Sequence, residues 1–516
     1  MNHRLTCLFA VISLCAASQA SVLRVPTEYP SIQSALQNVQ LNDTVLVASG
    51  LYAEALRAPL VSFSLIGDVQ PDSALGNLPV VDPSSLPHPD EIACLNFLQA
   101  VPFVRIERIG FRNGSQMYPR DSEGGILGEV FHLALKNCLF DSTYYGIIRI
   151  ESAGQLIELD SCRFLDNPVG CVSAEEHRVL ARNSFFSGSG FALVNCARGS
   201  QFSDCRFQGN TTGYHLLASG DSLLVTFCSF SGSSPNASAF VGLVEGSGTI
   251  SYSQFGPGQF ATFALYASRN CDLTLLITGN IFSQLVEITP VVVQCQSEGA
   301  VPVRIDSNLF TSVTNSGAKA IQVEPDVSAV INSNRFLTLS PANHAAIFSA
   351  SANVQAHLNI FEATGLAFQA FHENDARFNY WGDSTGPYHP TLNPNGLGDR
   401  VSDSVLFDPW YPDTSFLIDA AEERVELPEQ FQLSVFPNPF NSTARLMLFA
   451  PEPFIGSITL TNILGQQVRE LHRGPLYGQE TFLIAADALP SGIYLLSVRD
   501  VIRNTVNSTH KIALIR

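Results

Sequence analysis

A short phrase of hydrophobic and polar residues returns along the middle of the chain at intervals of roughly 20 to 30 residues. Typical copies read NCLFDS from Asn137, SCRFLDN from Ser161 and SNLFTS from Ser307. The aromatic anchors of these phrases are Phe111, Phe140, Phe164, Phe186, Phe207, Phe230, Phe255, Phe282, Phe310, Phe336, Phe361 and Trp381. Such a period predicts a solenoid, in which each repeat buries its apolar face only by stacking on its neighbours.

Two solenoid classes share this period, the leucine-rich repeat and the parallel β-helix. A leucine-rich repeat needs leucine at several fixed offsets, whereas the fixed residue here is phenylalanine. The stretches between the phrases, such as 146–150 and 300–305, are short alternating runs of the kind that forms strands of about four to six residues. No repeat carries a helical pattern of adequate length. We therefore predict an all-β fold built on a parallel β-helix solenoid of about 11 to 12 rungs.

The position two residues before each aromatic anchor forms a second column, because residues i and i+2 of a strand share a face. This column holds Cys138, Cys162, Ser184, Cys205, Cys228, Ser253, Asn280, Asn308, Asn334, Asn359 and Asn379. Rungs stacked about 4.8 Å apart would set like residue over like. We therefore expect a continuous stack of phenylalanine rings and a ladder of hydrogen-bonded asparagine amides.

The first 20 residues have the pattern of a secretory signal peptide. His3 and Arg4 precede an apolar run from Leu5 to Ala17, and Ser18-Gln19-Ala20 places small residues at a cleavage site. The alternative is a buried N-terminal strand. No later stretch is long and apolar enough to predict a membrane span.

Residues 21–59 predict a cap, which a solenoid needs to cover its first open rung. Apolar residues at 32, 35, 36 and 39 have the spacing of a short amphipathic helix, and 44–47 has the composition of a strand. The letters IQ-A-L, D-T-V-x-V and G-x-Y resemble the N-terminal cap of secreted right-handed β-helix proteins of the pectate lyase and pectin methylesterase superfamily. This resemblance implies a right-handed parallel β-helix over residues 60–412.

Residues 371–412 predict the closing cap of the solenoid. Their motifs NYWG, GP, NP-x-G-x-G and PW resemble the closing segment of NosD-like β-helix repeat proteins. Four carboxylates in this segment are candidate Ca²⁺ ligands, because Ca²⁺ favours clustered carboxylate and carbonyl oxygens; the alternative is aspartates that cap surface turns. They are Asp383, Asp399, Asp403 and Asp408.

Residues 413–431 are polar and acidic and are interpreted as a linker. Residues 432–516 then read as short alternating segments separated by turns, which predicts a small all-β sandwich. Their motifs FPNPFN, LGQQV, LPSGIYLLSV and KIALIR resemble the type A sorting domain of the bacterial type IX secretion system. The resemblance implies an immunoglobulin-like fold, the type IX machinery as partner, export across a Gram-negative outer membrane, and release or attachment to surface lipopolysaccharide. The alternative is a carbohydrate-binding or flagellar-hook-type sandwich.

Charge and cysteine content narrow the classes of partner and cofactor. A formal net charge of −18 without basic runs argues against nucleic acid as a partner. Two of the 11 cysteines fall in the signal peptide. Cys138 and Cys162 lie on one pair of adjacent rungs, and Cys205 and Cys228 lie on another. We expect free stacked thiols there, since in-register side chains run parallel and do not point towards each other. No CxxC or HxxxH spacing favours a metal site.

The motifs of known β-helix enzymes are missing. Neither NTD, DD, GHG and RIK segments of the hydrolases nor a DFIFG-like segment of the methylesterases occurs. The best titratable candidates for catalysis are Glu175, His177, His372 and Glu373, although such residues more often lie in solvated turns. Apart from candidate Ca²⁺, no cofactor is predicted.

Two functions from different classes therefore stay open. The first is a non-catalytic secreted or surface protein, adhesive, structural or polysaccharide-binding, that uses the exposed polar and aromatic residues of the solenoid flank. The second is a polysaccharide lyase or glycoside hydrolase of a further β-helix subfamily. The missing motifs favour the first. A groove of carboxylates with Arg or Lys in hydrogen-bond reach would favour the second.

Overall fold

Short strands separated by turns account for most of the ordered chain. The computed structural model describes residues 20–70, 77–87, 93–114, 126–148, 156–173, 177–188, 190–210, 213–219, 222–234, 237–244, 247–260, 263–269, 274–295, 302–314, 319–339, 345–417, 431–486, 489–503 and 505–515. Within these ranges the regular structure is β-strand except for the α-helix Ile32–Leu36 and the 3-10 turns Pro83–Ser85 and Ser415–Leu417. The predicted all-β class is confirmed.

Each turn of chain adds one strand to each of three parallel faces. The strand that opens each turn belongs to what we call the first face. Its strands are Val22–Val25, Thr44–Ala48, Phe63–Asp68, the second half of Leu95–Glu107, the second half of Ile126–Lys136, Leu156–Asp160, Arg178–Arg182, Gln201–Ser203, Leu223–Thr226, Gly248–Ser251, Leu275–Thr278, Val303–Asp306, Ala329–Asn332, Val354–His357, Asn374–Asp375 and Val405–Leu406.

The phenylalanine face follows, with 13 strands paired in parallel. They are Gly50–Tyr52, Pro79–Val81, Gly110–Arg112, Leu139–Asp141, Arg163–Leu165, Phe185–Ser187, Arg206–Gln208, Ser229–Ser234, Gln254–Phe260, Ile281–Val286, Leu309–Thr314, Arg335–Leu337 and Ile360–Glu362. From the third strand onward, each strand places one anchoring phenylalanine opposite the next, and Trp381 stacks beyond the last. The predicted count of rungs is therefore confirmed for the repeat.

The third face closes each turn. Its strands are Leu56–Arg57, the first halves of Leu95–Glu107 and Ile126–Lys136, Tyr145–Ile148, Gly170–Ser173, Phe191–Cys196, Gly213–Ser219, Ala237–Val244, Phe263–Arg269, Thr289–Cys295, Ile321–Val323, Ala345–Ser349, Leu366–Ala370, Pro387–Tyr388 and Gly398–Val401. The strands Leu95–Glu107 and Ile126–Lys136 pass from this face into the first face, because their two halves pair with different neighbours.

The N-terminal cap contains the expected helix. Ile32–Leu36 begins with a capping box between Ser31 and Ser34, and the Glu54 carboxylate accepts hydrogen bonds from the Ile32 and Gln33 amides. The helix ends before Val39, so it is shorter than its apolar spacing predicts. Its apolar side is fully buried against the first rungs. A helix at this end covers a sheet edge and core that would otherwise meet water.

The anchoring aromatic residues form one continuous stack inside the solenoid, as predicted. Neighbouring ring centroids from Phe111 to Trp381 lie 4.7 to 5.2 Å apart with nearly parallel planes. All of these side chains are completely buried. Burial of one phenylalanine contributes about 1.5–3 kcal/mol, so the stack is a main source of cohesion between rungs.

The predicted asparagine ladder runs along the second half of the solenoid. The Nδ2 atoms of Asn280 and Asn308 donate to the Oδ1 atoms of Asn308 and Asn334 at 3.0 Å, and Asn334 and Asn359 repeat the contact at 3.1 Å. Each Oδ1 atom also accepts the backbone amide of the preceding column residue, at 2.8 or 2.9 Å. The ladder therefore satisfies buried backbone and side-chain groups together.

Small residues occupy the same column in the first half. Ser184 and Ser253 accept the backbone amides of Cys162 and Cys228 through their hydroxyl oxygens. Within the described part of the chain, the column cysteines Cys138, Cys162, Cys205 and Cys228 are buried free thiols, as expected, and so are Cys94 and Cys196. Burial raises the pKa of the Cys196 thiol to about 12. That thiol is therefore an inert packing group at neutral pH.

The C-terminal unit is an antiparallel β-sandwich, as predicted. Its strands are Gln432–Phe436, Thr443–Asn462, Gln467–Ala485, Gly492–Asp500 and Thr505–Leu514. Separate strands were expected at 444–449 and 457–462, but one bent strand, Thr443–Asn462, joins them, with a register shift between Ala450 and Phe454. A separate core of Leu446, Leu460, Leu496 and their neighbours holds the unit together.

We expect Asn308→Ala to lower the free energy of unfolding by about 2–4 kcal/mol, because it leaves the Asn280 amide without its acceptor and breaks the ladder on both sides. Chemical denaturation followed by circular dichroism measures the change. Asn353→Ala is the matched control: Asn353 is exposed, and its replacement should cost under about 0.5 kcal/mol. Equal losses for the two variants would contradict a role of the ladder in stability.

Candidate functional site

The structure separates the sequence-predicted catalytic candidates. Glu175 lies outside the described residues, and His177 is buried at the start of a first-face strand. His372 and Glu373 are exposed in the turn before Asn374–Asp375, with seven first-face strands between them and His177. The candidates therefore do not share one site. Whether either pair is catalytic stays a prediction.

Three of the four Ca²⁺ candidates of the closing segment make separate local contacts. The Asp399 carboxylate accepts hydrogen bonds from the Thr364 and Gly365 amides at 2.8 and 3.0 Å, and Asp383 accepts from the Thr385 amide at 2.9 Å. Asp403 is exposed and lies 3.1 Å from the buried His389 ring. No group of three His, Cys, Asp or Glu residues suited to a metal occurs among the residues described. Ca²⁺ binding stays a prediction that this geometry does not strengthen.

A groove of about 440 Å³ follows the outer surface of the first face. We call it the charged groove. Its ionisable lining residues are Arg105, Glu107, Lys136, Glu158, Asp160 and Arg182. Opposite charges alternate along four adjacent rungs, because the register sets Glu107, Lys136, Asp160 and Arg182 side by side. Arg105 and Arg108 both pair with Glu107.

Ion pairs hold the Asp160 carboxylate of the charged groove ionised. Asp160 lies 2.9 Å from the Arg182 guanidinium and 3.6 Å from the Lys136 ammonium. Burial works to raise the pKa of Asp160, but the hydrogen bonds from Arg182 and Ser161 and the two positive charges outweigh it, so this pKa lies below its ordinary value. Glu158 lies 3.0 Å from the His132 ring. Asp160 is therefore unsuited to act as a general acid near neutral pH.

A second groove, of about 610 Å³, lies further along the same face near its closing end. Glu373 and Asp375 line it together with Gln355. Arg377 lies 2.8 Å from Asp375 and lowers the pKa of that carboxyl well below its usual range, with a further contribution from His357 at 3.2 Å. Among the described catalytic candidates, Glu373 lies at a concave surface.

Aromatic and amide side chains line the outside of the third face. In-register pairing aligns Tyr266, Gln322 and Phe348 in one column of that face. The Tyr214 ring extends over the next rung at Gly242, where a Cβ atom would lie only 2.5 Å from the ring. We call this set the aromatic strip: Tyr214, Tyr266, Gln294, Lys319, Gln322, Phe348 and Phe371.

Contacts within the aromatic strip fix the rings and amides. Gln294 Nε2 donates to the Tyr266 hydroxyl at 2.5 Å. Lys319 lies 3.6 Å from the Phe348 ring centroid and donates to Gln322 Oε1 at 3.1 Å. Phe371 packs edge-on against Phe348 at 5.3 Å and remains 63% exposed. A strip of fixed rings beside amide groups can hold a ligand that has apolar faces and hydroxyl groups.

Sequence reasoning did not find the charged groove or the aromatic strip, for different reasons. The charged groove has a regular signal: Glu107, Lys136, Asp160 and Arg182 each stand four residues before an anchoring phenylalanine. Reading the position four residues before each anchoring phenylalanine as a third column would have identified these charged residues. The aromatic strip has no fixed offset, since Tyr214 follows Phe207 closely while the later strip residues lie further beyond their anchors.

Comparison with known proteins identifies the C-terminal unit. Residues 434–514 match the family model described as the secretion system C-terminal sorting domain. No curated protein matches the chain. In the part of the chain that the structure describes, no helix is long and apolar enough to cross a membrane.

Solved structures similar to the chain include the following three proteins. DFA-IIIase from Arthrobacter chlorophenolicus A6, in complex with GF2, is 11% identical and has a TM-score of 0.30, with 69% of this chain and 94% of that chain covered. A tailspike mutant of E. coli bacteriophage HK620 in complex with hexasaccharide is 10% identical, TM-score 0.27, covering 87% and 88%. The tailspike gp49 of Acinetobacter baumannii bacteriophage Fri1, a capsular polysaccharide depolymerase, is 12% identical, TM-score 0.19, covering 96% and 78%.

With TM-scores at or below 0.30, these likenesses support no statement about function. The strand pairing and the match at residues 434–514 together show that the chain is a parallel β-solenoid followed by a C-terminal secretion sorting domain.

Proposed function

We propose that the chain is a secreted or surface protein of a Gram-negative bacterium whose solenoid binds a polysaccharide along the aromatic strip without cleaving it. The sorting domain at 434–514 supports export, with the type IX machinery as partner. Release from the cell and attachment to outer-membrane lipopolysaccharide are both compatible with that domain. The aromatic strip is the observation that carries the binding proposal.

Sugar rings suit this surface chemically. A pyranose has an apolar C–H face that packs on an aromatic ring, and its hydroxyl groups both donate and accept hydrogen bonds. Tyr266 and Phe371 offer rings, while Gln294 and Gln322 offer amides that can do both. Strands stacked about 4.8 Å apart spread the strip over roughly 30 Å. A surface of that length suits an extended polymer and not a single sugar.

The charge of the aromatic strip favours a neutral polymer. Lys319 is its one positive residue, and its pKa is lowered by burial despite the nearby Glu324 carboxylate. The positive charge of Lys319 and the negative charge of Glu324 offset each other beside Phe348. With a net charge of −18, the chain as a whole also repels polyanions. We therefore expect neutral polysaccharides to bind in preference to uronic-acid polymers.

We expect Tyr266→Ala and Phe371→Ala each to weaken binding of a neutral polysaccharide by about 3- to 10-fold, because each removes one stacking ring worth about 0.5–1.5 kcal/mol. Affinity electrophoresis of the full chain against a panel of neutral and acidic polysaccharides measures the change. Phe131→Ala is the control, since Phe131 is an exposed aromatic residue at the corner between two faces, outside the strip. Equal weakening by all three variants, or no binding by the parent chain, would contradict the proposal.

A second candidate function is supported by the charged groove. Glu158 and Asp160 line it together with Lys136 and Arg182, so it meets the condition of carboxylates with Arg or Lys in reach, and His132 contacts Glu158. The low pKa of Asp160 argues against general-acid catalysis by that residue, whereas base catalysis would still be open. Ion pairs that merely join adjacent rungs explain the same contacts, because the pairs follow the register.

An assay for new reducing ends and for unsaturated products on the same polysaccharide panel separates the two functions. We expect no products from the parent chain. Cleavage that falls about 100-fold or more in Glu158→Gln, but not in Asp141→Asn, would instead establish the enzyme. Asp141 is the matched control because it is ion-paired with Arg112 at 3.1 Å on a different face.

A further inference from the structure

The sorting domain lies against the outer surface of the phenylalanine face. Ile455 is completely buried, yet it belongs to a cluster with Ile281, Leu309 and Leu337 of the solenoid and not to the sandwich core. Phe227 and Tyr252 of the solenoid and Val501 and Ile502 of the sorting domain pack around this cluster. The burial of Ile455 therefore depends on the solenoid.

Polar contacts surround this apolar centre. Arg206 donates to the Ile502 carbonyl oxygen at 3.2 Å, and Arg335 lies 3.8 Å from the Glu480 carboxylate. The Arg473 guanidinium lies 4.7 Å from the centroid of the Phe227 ring. An apolar centre with a polar rim is the usual composition of a specific protein interface.

The turn before the phenylalanine face supplies two of the residues in this contact. Its residue three positions before each anchor has a left-handed backbone, which small polar residues and glycine tolerate best. Most positions of this column hold such residues, namely Asn137, Ser161, Asn183, Asp204, Gly279, Ser307 and Ser333, whereas Arg108, Leu358 and Phe378 are large. Phe227 and Tyr252 occupy the same position at φ of 53° and 49°.

Bulky residues at a left-handed position are strained, and such strain persists where another interaction compensates for it. The ring centroids of Phe227 and Tyr252 lie 5.4 Å apart. In the sorting domain, Arg473 lies over the Phe227 ring and Gly474 lies beside the Tyr252 ring. Phe227 and Tyr252 are two of the five large residues in the column, and both lie where the sorting domain contacts the solenoid.

We propose that Phe227, Tyr252, Ile281, Leu309 and Leu337 form a docking patch built for the chain's own sorting domain. The exported protein then carries this domain as a docked unit and not as a free tail. The surface of the domain around Ile455, Val501 and Ile502 is withheld from the export machinery while the domain is docked. Undocking exposes the apolar docking patch of the solenoid and the apolar surface of the sorting domain. Another protein could then bind either of these two surfaces.

Thiol labelling of the intact chain tests the docking. The thiol introduced by Ile455→Cys should react at least about tenfold more slowly with a maleimide than the thiol introduced by Ile463→Cys, because Ile463 is a 76% exposed residue of the same domain. Cys94, Cys138, Cys162, Cys171, Cys196, Cys205 and Cys228 are buried, and the background labelling of all native cysteines is measured on the parent chain.

A solenoid-side variant shows what protects the introduced thiol. Phe227→Ser with Tyr252→Ser places the column's usual residue type in both left-handed turns, so the solenoid should keep its circular dichroism and melting temperature. Added to Ile455→Cys, this pair should raise the labelling rate close to that of Ile463→Cys. Labelling of Ile455→Cys as fast as Ile463→Cys overturns the proposal. Slow labelling that the serine pair does not change also overturns it, since the sandwich alone would then bury position 455.

Discussion

In-register parallel pairing is the constraint on which the molecule depends. From Gly110–Arg112 onward, each strand of the phenylalanine face sets its ring over the ring of the next rung, at a spacing close to the distance between neighbouring strands. One phenylalanine per turn is thus enough to build a continuous apolar column. A slip of one residue in any rung would turn that rung's ring outward and break the column.

Polar residues can enter the core only because the same register gives them partners. A buried asparagine amide is costly unless it is paired, and the ladder from Asn280 to Asn379 pairs each amide with the next one and with backbone groups. The asparagine side-chain oxygens also accept hydrogen bonds from the buried backbone N–H groups of the column residues. Serine and cysteine fill the column in the first half, where hydroxyl groups bond the adjacent amide.

The register also creates the outer surfaces. Residues about one repeat apart in the sequence become neighbours on the flank, so Lys136, Asp160 and Arg182 make a continuous set of ion pairs. The same effect brings Ile281 and Leu309 together as a patch for the sorting domain. Function is therefore to be sought in columns that run along the solenoid and not in local motifs. This explains why His177 is not brought together with His372 and Glu373.

The amino-acid sequence by itself determined the interior of this protein. The ring stack, the amide ladder and the free thiols of the column follow from residues at fixed offsets from Phe140, Phe164 and their equivalents, since a fixed offset leads to a fixed direction in a strand. The C-terminal sandwich follows from its own alternating segments. Only the tertiary structure decided the aromatic strip and the docking patch. Strand lengths in the third face vary, so no offset predicts that Tyr266 aligns with Phe348. The contact of Ile455 with Leu309 joins two units far apart in the chain, and its geometry depends on how two finished surfaces fit together.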